Sequence, residues 1–210
     1  MVGPAHYGPN EYCHGTGSRG GLSDDGRQLI CEMDRAGLLL DVTHLSDDSM
    51  SEALDLFSGP VLASHHNCRA LVPGDRQLSD EQIRRLIDRG AVIGTAFDNW
   101  MLTPGWIKTV TSPSTVTLDH VVEQIDHVCQ LAGSVRHSGL GTDLDGGFGQ
   151  EQSPSDLDSI GELGLLREKL ADRGYDCDDI HRILWGNFVD LMATALPSTP
   201  TTDQTAGISA

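Results

Sequence analysis

The chain has 210 residues, which is enough for one domain with a sizeable buried core. Its 31 acidic and 14 basic residues give a formal net charge of −17. This charge predicts repulsion from nucleic acid and from anionic membranes, so neither is expected as a partner. Acidity of this kind is mainly typical of a well-solvated protein, and it agrees only weakly with a site that collects divalent cations.

The cysteines indicate a reducing compartment. There are five of them, an odd number, and no two stand in a CxxC spacing. This pattern argues against a disulfide framework and against a cysteine zinc site. No apolar run approaches the ~20 residues that span a bilayer, and the amino terminus lacks the features of a signal peptide. We therefore expect a cytoplasmic protein.

The first 21 residues are rich in glycine, proline and polar side chains and are predicted to form a loop. Within them, the stretch from Gly15 to Gly20 matches the pattern GxGxxG. A dinucleotide site needs a buried strand directly before this pattern, and residues 10–14 are not strand-like. The sequence therefore favours a flexible loop here over a nucleotide site.

From Ser23 onward, amphipathic helices alternate with short apolar strands, with a possible strand remnant before His6. Strands are predicted at 38–42, 61–64, 91–97 and 137–142. Helices are predicted after the N-capping residues Ser23, Ser46, Ser79 and Thr117, and at roughly 155–173 and 178–195. Residues 98–116 are predicted to form a long loop, and residues 197–210 a disordered tail. Regular alternation predicts an α/β fold with parallel strands and outer helices.

Two histidines follow neighbouring predicted strands. His44 comes after the first strand and His65 after the second. Parallel strands lie ~4.8 Å apart, so imidazoles at their carboxyl ends could share one ion at Zn–N distances of ~2.0–2.1 Å. A hydrogen-bonded histidine at a strand–helix junction is the alternative for either residue alone. The pair favours metal ligation, and His66 is assigned a supporting or structural role.

Two further residues near the predicted strand ends could take part in chemistry. Arg76 could bind a carboxylate through its planar guanidinium, or it could form a salt bridge with Asp75 or Asp80. Asp143 ends the fourth strand, where a carboxylate suits acid–base catalysis on metal-activated water. Asp145 is better explained as part of an Asp-Gly turn. Packing or surface roles are predicted for the helical histidines His120, His127 and His181.

Several motifs resemble one known family in order and spacing. DVTHLSDDS, GPVLASHHNCRALVPGDRQLSDEQ and HSGLGTDLDGG are similar to motifs of the renal (membrane) dipeptidases, zinc dipeptidases of the metal-dependent amidohydrolase superfamily. The resemblance covers roughly residues 4–192, where GNFVDL resembles the closing helix of the family. It implies a (β/α)8 barrel and hydrolysis of a small dipeptide substrate.

The resemblance also implies a role for each of five residues. His44 and His65 correspond to the two histidines that hold the second zinc ion. Arg76 stands where the family binds the carboxylate of the substrate. Asp143 stands where the family aspartate handles the proton and meets the substrate amine. His6, in AHYGPN, resembles the histidine that contacts the scissile carbonyl.

Some parts of the family pattern have no counterpart in this sequence. The His-x-Asp pair of the first zinc and the glutamate that bridges both metals are missing. We therefore expect a partial (β/α)8 barrel over residues 1–196 that lacks the first three strands. The family holds two zinc ions, whereas this chain would hold one or none. Unpaired sheet edges in a partial barrel predict self-association into a homo-oligomer.

Three functional interpretations remain open at this stage. The first is zinc-dependent hydrolysis of dipeptides. The second is a truncated, catalytically inactive fragment or subunit that lacks the first metal site. The third keeps the enzyme but changes the substrate, for example to an N-acylated amino acid.

Overall fold

A four-stranded parallel sheet forms the centre of the computed structural model, which describes residues 1–144 and 146–196. The strands follow one another in space in chain order: β1 (Leu40–Asp41), β2 (Val61–Ala63), β3 (Val92–Thr95) and β4 (Ser138–Leu140). Because all strands are parallel, their carboxyl ends open at one edge, which we call the mouth. Val2 also bridges Leu40 in parallel, which agrees with the strand remnant expected before His6.

Helices connect and cover these strands, as the alternating sequence pattern predicts. They are α1 (Asp24–Arg35), α2 (Asp47–Leu56), α3 (Asp80–Asp88), α4 (Asn99–Leu102), α5 (Leu118–Ala132), α6 (Leu166–Asp172), α7 (Cys177–His181) and α8 (Asn187–Ala195). The predicted caps are confirmed at three starts. Ser23 accepts from Gly26 N, Ser46 accepts from Ser49 N, and Ser79 forms a capping box with Gln82.

Two clusters of buried apolar side chains hold the layers together. The first packs α1, α2 and α3 against the strands and includes Ile30, Met50, Val61, Ile83 and Ile93. The second lies between α5, α6 and α7 and includes Phe97, Val121, Ile125, Leu166 and Ile183. The sheet with its outer helices is the α/β architecture expected from the sequence, that of part of a (β/α) barrel.

The sequence prediction differs from the structure in three segments. Residues 98–116 contain the short helix α4 and a 3-10 turn, Pro113–Thr115, in addition to loop. The helix predicted from residue 155 begins only at Leu166, after a 3-10 segment that carries two glycines, which are poor helix formers. The last predicted helix is interrupted by a π-helical turn, Arg182–Gly186. The predicted tail, 197–210, and Asp145 lie outside the described residues.

Across residues 1–144 and 146–196, none of the helices combines the length and the apolar character that are needed to cross a membrane.

Candidate metal and catalytic site

The mouth of the sheet brings together three of the residues singled out in the sequence. His44 follows β1, His65 follows β2 and Asp143 follows β4. The Nε2 atoms of His44 and His65 lie 3.2 Å apart. The Oδ2 atom of Asp143 lies 3.9 Å from Nε2 of His65. The parallel topology therefore places an imidazole pair and a carboxylate at one point.

Hydroxyl groups fix the orientation of both imidazoles. Thr16 Oγ1 lies 3.1 Å from Nδ1 of His44, and Ser64 Oγ lies 2.8 Å from Nδ1 of His65. When each hydroxyl accepts a hydrogen bond from Nδ1–H, the lone pair of each ring lies on Nε2. Both Nε2 lone pairs then face the same space. This is the arrangement by which a neighbouring group orients a metal-binding histidine.

The histidine pair fits a zinc ion. Two nitrogen ligands at ~2.0–2.1 Å from a tetrahedral ion are separated by ~3.3 Å, close to the 3.2 Å between the two Nε2 atoms. Burial, with help from Arg76, lowers the pKa of His44 to about 2 and also lowers the pKa of His65. Both rings are therefore neutral, which is the form that binds metal.

Further ligands would be needed to complete such a site. A zinc ion takes four ligands, of which at least three are normally protein side chains. Within the part of the chain that the structure describes, no three His, Cys, Asp or Glu side chains gather as a complete metal-binding group. His44 and His65 would therefore be two of the ligands and not the whole set.

The backbone is strained at two of these residues. His44 has φ 69° and Asp143 has φ 56°, values in the left-handed region that side chains other than glycine rarely adopt. Strain of this kind persists where surrounding contacts over-determine the conformation, and it concentrates at functional sites. Both strained residues lie at the mouth, and each aims its side chain toward the shared space beside His65.

Glycines and one buried carboxylate allow the strand ends to converge. Asp41 Oδ1 accepts hydrogen bonds from the backbone N–H groups of Thr43 and Ser64, each at 3.0 Å. A Cβ atom added at Gly94 or Gly141 would lie 2.2 or 1.8 Å from the carbonyl oxygen of Ser64. These glycines are therefore required for the close approach that positions His65.

Arg76 lies beneath the same mouth and is only 2% exposed. Its Nη2 atom donates to the carbonyl oxygen of His65 at 2.8 Å, and the Tyr7 hydroxyl lies near enough to the guanidinium to influence its pKa. Its Nη1 atom has no partner among the described residues. Burial lowers the pKa of Arg76, and the nearby Tyr7 and Asp143 oppose that shift. One guanidinium donor thus remains available.

The alternative salt bridges of Arg76 are not formed, because their acids are engaged elsewhere. Asp75 Oδ2 accepts from the N–H group of Gly17 at 2.8 Å. Asp80 Oδ1 lies 2.8 Å from Nε2 of His127.

His6 also lies at the mouth. The centre of its ring is 4.4 Å from that of His44, and the ring of Tyr7 is 5.0 Å from that of His6 and 5.1 Å from that of His44. The carbonyl oxygen of His6 accepts from Thr16 N at 3.1 Å. The structure thus brings together all five residues that the sequence assigned to the site.

Four other histidines make local contacts or are buried. His66 is buried and its pKa is well below the usual value because of that burial. His127 pairs with Asp80, His181 packs on Trp185, and Nδ1 of His120 accepts from the backbone N–H group of Thr117.

The sequence prediction missed the residues that support the site. Thr16 belongs to the GxGxxG segment, which was interpreted as a flexible loop. The segment is indeed a loop, but Thr16 is buried against His44, and Gly15 pairs with Leu45. Ser64, which contacts Nδ1 of His65, and Tyr7, whose ring packs on those of His6 and His44, were also missed. No spacing rule connects these residues to their partners.

Comparisons with known proteins point to one family of peptidases. The sequence model of the membrane dipeptidase family (Peptidase family M19) matches residues 8–201. An uncharacterized dipeptidase of Schizosaccharomyces pombe is 30% identical over 83% of this chain and 40% of its own length. The dipeptidase tcpJ of Claviceps purpurea is 30% identical over 82% of this chain and 38% of its own length.

A solved structure is similar over most of this chain. It is a metallopeptidase from Rhodobacter sphaeroides, liganded with a phosphinate mimic of the dipeptide L-Ala-D-Ala. The TM-score is 0.81 at 25% identity, and the match covers 92% of this chain and 55% of that chain. The described fold is therefore shared with roughly half of that metallopeptidase.

Proposed function

Because the chain belongs to the membrane dipeptidase family, we propose that it supplies one metal-binding pair and the substrate-facing residues of a zinc-dependent dipeptidase site. One observation carries this proposal. Two neutral imidazoles present their Nε2 atoms to each other at 3.2 Å, with a carboxylate oxygen 3.9 Å from one of them. This combination of groups suits hydrolysis of an amide bond.

His44 and His65 would hold the metal ion. The chemistry that zinc supplies when bound is Lewis-acid polarisation and the activation of water. Asp143 would accept the proton of the attacking water at Oδ2 and return it to the leaving amine. The same carboxylate would pair with the free amino group of the substrate, which would orient the peptide bond toward the metal.

Arg76 and His6 would bind the other parts of the dipeptide. The unpartnered Nη1 atom of Arg76 could donate a charge-assisted hydrogen bond to the substrate carboxylate. His6, next to His44, could donate to the scissile carbonyl oxygen as negative charge develops on it. The substrate would then lie between a carboxylate that attracts its amine and a guanidinium that attracts its carboxylate.

The test combines metal analysis with a dipeptide assay on purified, zinc-loaded protein. His44→Ala should remove the zinc ion held by the histidine pair and reduce hydrolysis of Ala-Ala by a factor of about 10³ or more. His181→Ala is the matched control, since His181 is exposed and packs on Trp185, away from the mouth. If wild-type protein neither binds zinc nor hydrolyses any dipeptide, the proposal is wrong.

A second candidate function is a non-catalytic subunit that carries only this half of the metal site. It is favoured by the incomplete ligand set among the described residues. Zinc binding that depends on His44 and His65, without turnover of any dipeptide, would support this candidate. Turnover that is lost in His44→Ala would exclude it.

A further inference from the structure

A cavity of about 640 Å³ opens directly beside Asp143. The residues that follow β4, Thr142 to Leu144, form one wall, and the loop from Gly149 to Ile160 forms the other. This volume falls in the range of ~300–1,000 Å³ that is usual for small-ligand sites. The cavity is thus a second feature of the mouth, next to the histidine pair but lined by a different segment.

The lining of this cavity is predominantly apolar. Leu144 and Leu157 contribute aliphatic surface to its walls, and Ile160 lies at its rim with 68% of its surface exposed. A bound apolar group would cover these side chains and remove their surface from water. The chemical class that the lining favours is an aliphatic or aromatic side chain.

Hydrogen bonds hold the outer wall in place. Nε2 of Gln152 donates to both carboxylate oxygens of Asp98 at 2.8 Å, just beyond the end of β3. Nδ2 of Asn99 donates to the carbonyl oxygen of Ser153 at 3.0 Å. The loop is therefore attached by buried polar contacts to the start of α4, and the cavity is already formed without a ligand.

Resting on the proposed function, we propose that this cavity receives the side chain of the amino-terminal residue of the substrate, and that this residue is preferably large and apolar. In the proposed arrangement Asp143 pairs with the substrate amine, while Arg76 binds the carboxylate. The carbon that bears the amine also bears the amino-terminal side chain. That side chain must therefore lie next to Asp143, where the cavity opens.

The first test compares dipeptides of reversed order. Phe-Ala and Ala-Phe have the same composition, so only the position of the large side chain differs. We expect kcat/KM for Phe-Ala to exceed the values for Ala-Phe and Ala-Ala by about tenfold or more. Equal values for the three peptides, or a preference for Ala-Phe, would overturn the proposal while leaving the dipeptidase function in place.

The second test changes the rim of the cavity. Ile160→Asp should lower the ratio of kcat/KM for Phe-Ala to that for Ala-Ala by about fivefold or more, since a charge would then border the apolar side chain. Val189→Asp is the matched control, because Val189 is a β-branched residue on α8 that is 51% exposed and does not line this cavity. Its ratio should equal that of the wild type.

A binding measurement keeps the proposal testable without turnover. Phosphinate mimics of Phe-Ala and Ala-Ala can be titrated calorimetrically into zinc-loaded protein. The Phe-Ala mimic should bind about tenfold more tightly, and Ile160→Asp should remove most of that difference. Equal affinities would contradict only the role of the cavity and would leave the proposed function in place. A chain that binds neither mimic and hydrolyses no peptide would contradict the proposed function and this inference with it.

Discussion

Two arginines at opposite ends of the sheet differ in whether their N–H groups have hydrogen-bond partners. Arg89, between α3 and β3 at the amino ends of the strands, donates to the carbonyl oxygens of Leu54, Phe57 and Gly59 at 2.7–2.9 Å. Arg76, at the mouth, is more deeply buried, yet its Nη1 atom has no partner among the described residues.

Other residues repeat this difference. At the amino ends, Nδ2 of Asn187 donates to the carbonyl oxygens of Val135 and Ser138, and Nδ1 of His137 contacts the carbonyl oxygen of Ala91. At the mouth, His44 and Asp143 have left-handed backbone conformations. The polar groups named at the amino end thus have partners, whereas the mouth combines strained backbone with a free donor that a substrate could use.

The largest effect expected from this contrast concerns Arg76. Arg76→Met should reduce kcat/KM for a dipeptide with a free carboxylate by about 100-fold, because a buried charge pair with the substrate would be lost. Urea denaturation should show no loss of stability, since an incompletely paired buried charge is replaced by an apolar side chain.

Dipeptide amides provide the control for this variant. They lack the carboxylate, so Arg76→Met should leave their turnover nearly unchanged. The same comparison tests the N-acylated amino acid as a substrate, since it too would need Arg76 for its carboxylate. Equal losses for acids and amides would contradict the assignment of Arg76 as a carboxylate-binding residue.

The second-largest effect is expected at the amino end of the sheet, where a substitution should lower stability. Arg89→Met should lower the free energy of unfolding by about 2 kcal/mol, because three buried carbonyl groups lose a charged donor. Arg136→Met is the control at the same end of the sheet, since Arg136 is exposed. Its substitution should change the free energy of unfolding by no more than about 0.5 kcal/mol. If Arg89→Met destabilised the protein no more than Arg136→Met, the contrast between the two ends would fail.

A pH titration of metal-free protein tests the neutral histidines of the mouth. Burial lowers the pKa of His44 to about 2, against ~6.5 in an unfolded chain. Below pH 6.5 only the unfolded state takes up this proton. The stability that the neutral ring contributes is therefore complete above pH 6.5 and declines as pH falls.

The measurement is the free energy of unfolding in urea between pH 6 and pH 5. His44→Gln should reduce the slope of stability against pH by up to about 1.4 kcal/mol per pH unit. A variant whose slope equals that of the wild type would show that His44 is protonated in the folded protein, contrary to the burial of its ring.

Sequence reasoning could predict that three of the candidate residues lie together because their placement depends on topology. Alternating apolar strands and capped helices predict a parallel sheet, and parallel strands bring residues that follow them to one edge. His44, His65 and Asp143 each follow a strand, so their convergence required no knowledge of side-chain contacts. The outer boundaries were less predictable, as the late start of α6 shows.

The supporting contacts were not predictable for two physical reasons. Thr16 and His44 are 28 residues apart and belong to no repeating pattern, so only the folded chain shows their hydrogen bond. The left-handed conformations of His44 and Asp143 are imposed by tertiary contacts against the local preference of each residue. Features that oppose local preference are the ones that local patterns cannot reveal.

The smallest effect is expected at Tyr7, whose hydroxyl lies near enough to Arg76 to influence its pKa. Burial raises the pKa of Tyr7, while Arg76 lowers it, so the phenol is neutral at pH 7. A substrate carboxylate that binds Arg76 must compete with this hydroxyl. Tyr7→Phe should therefore lower KM about threefold with kcat unchanged, since one neutral hydrogen bond contributes about 0.5–1.5 kcal/mol.

Tyr12→Phe is the matched control, because Tyr12 is also partly exposed and is not among the groups that surround Arg76. Its KM should equal that of the wild type. A higher KM in Tyr7→Phe would mean that the hydroxyl contacts the substrate directly and does not compete with it. In that case the Tyr7 hydroxyl would be part of the surface that binds the substrate. The free Nη1 donor of Arg76 would then no longer be what distinguishes the mouth from the amino end of the sheet.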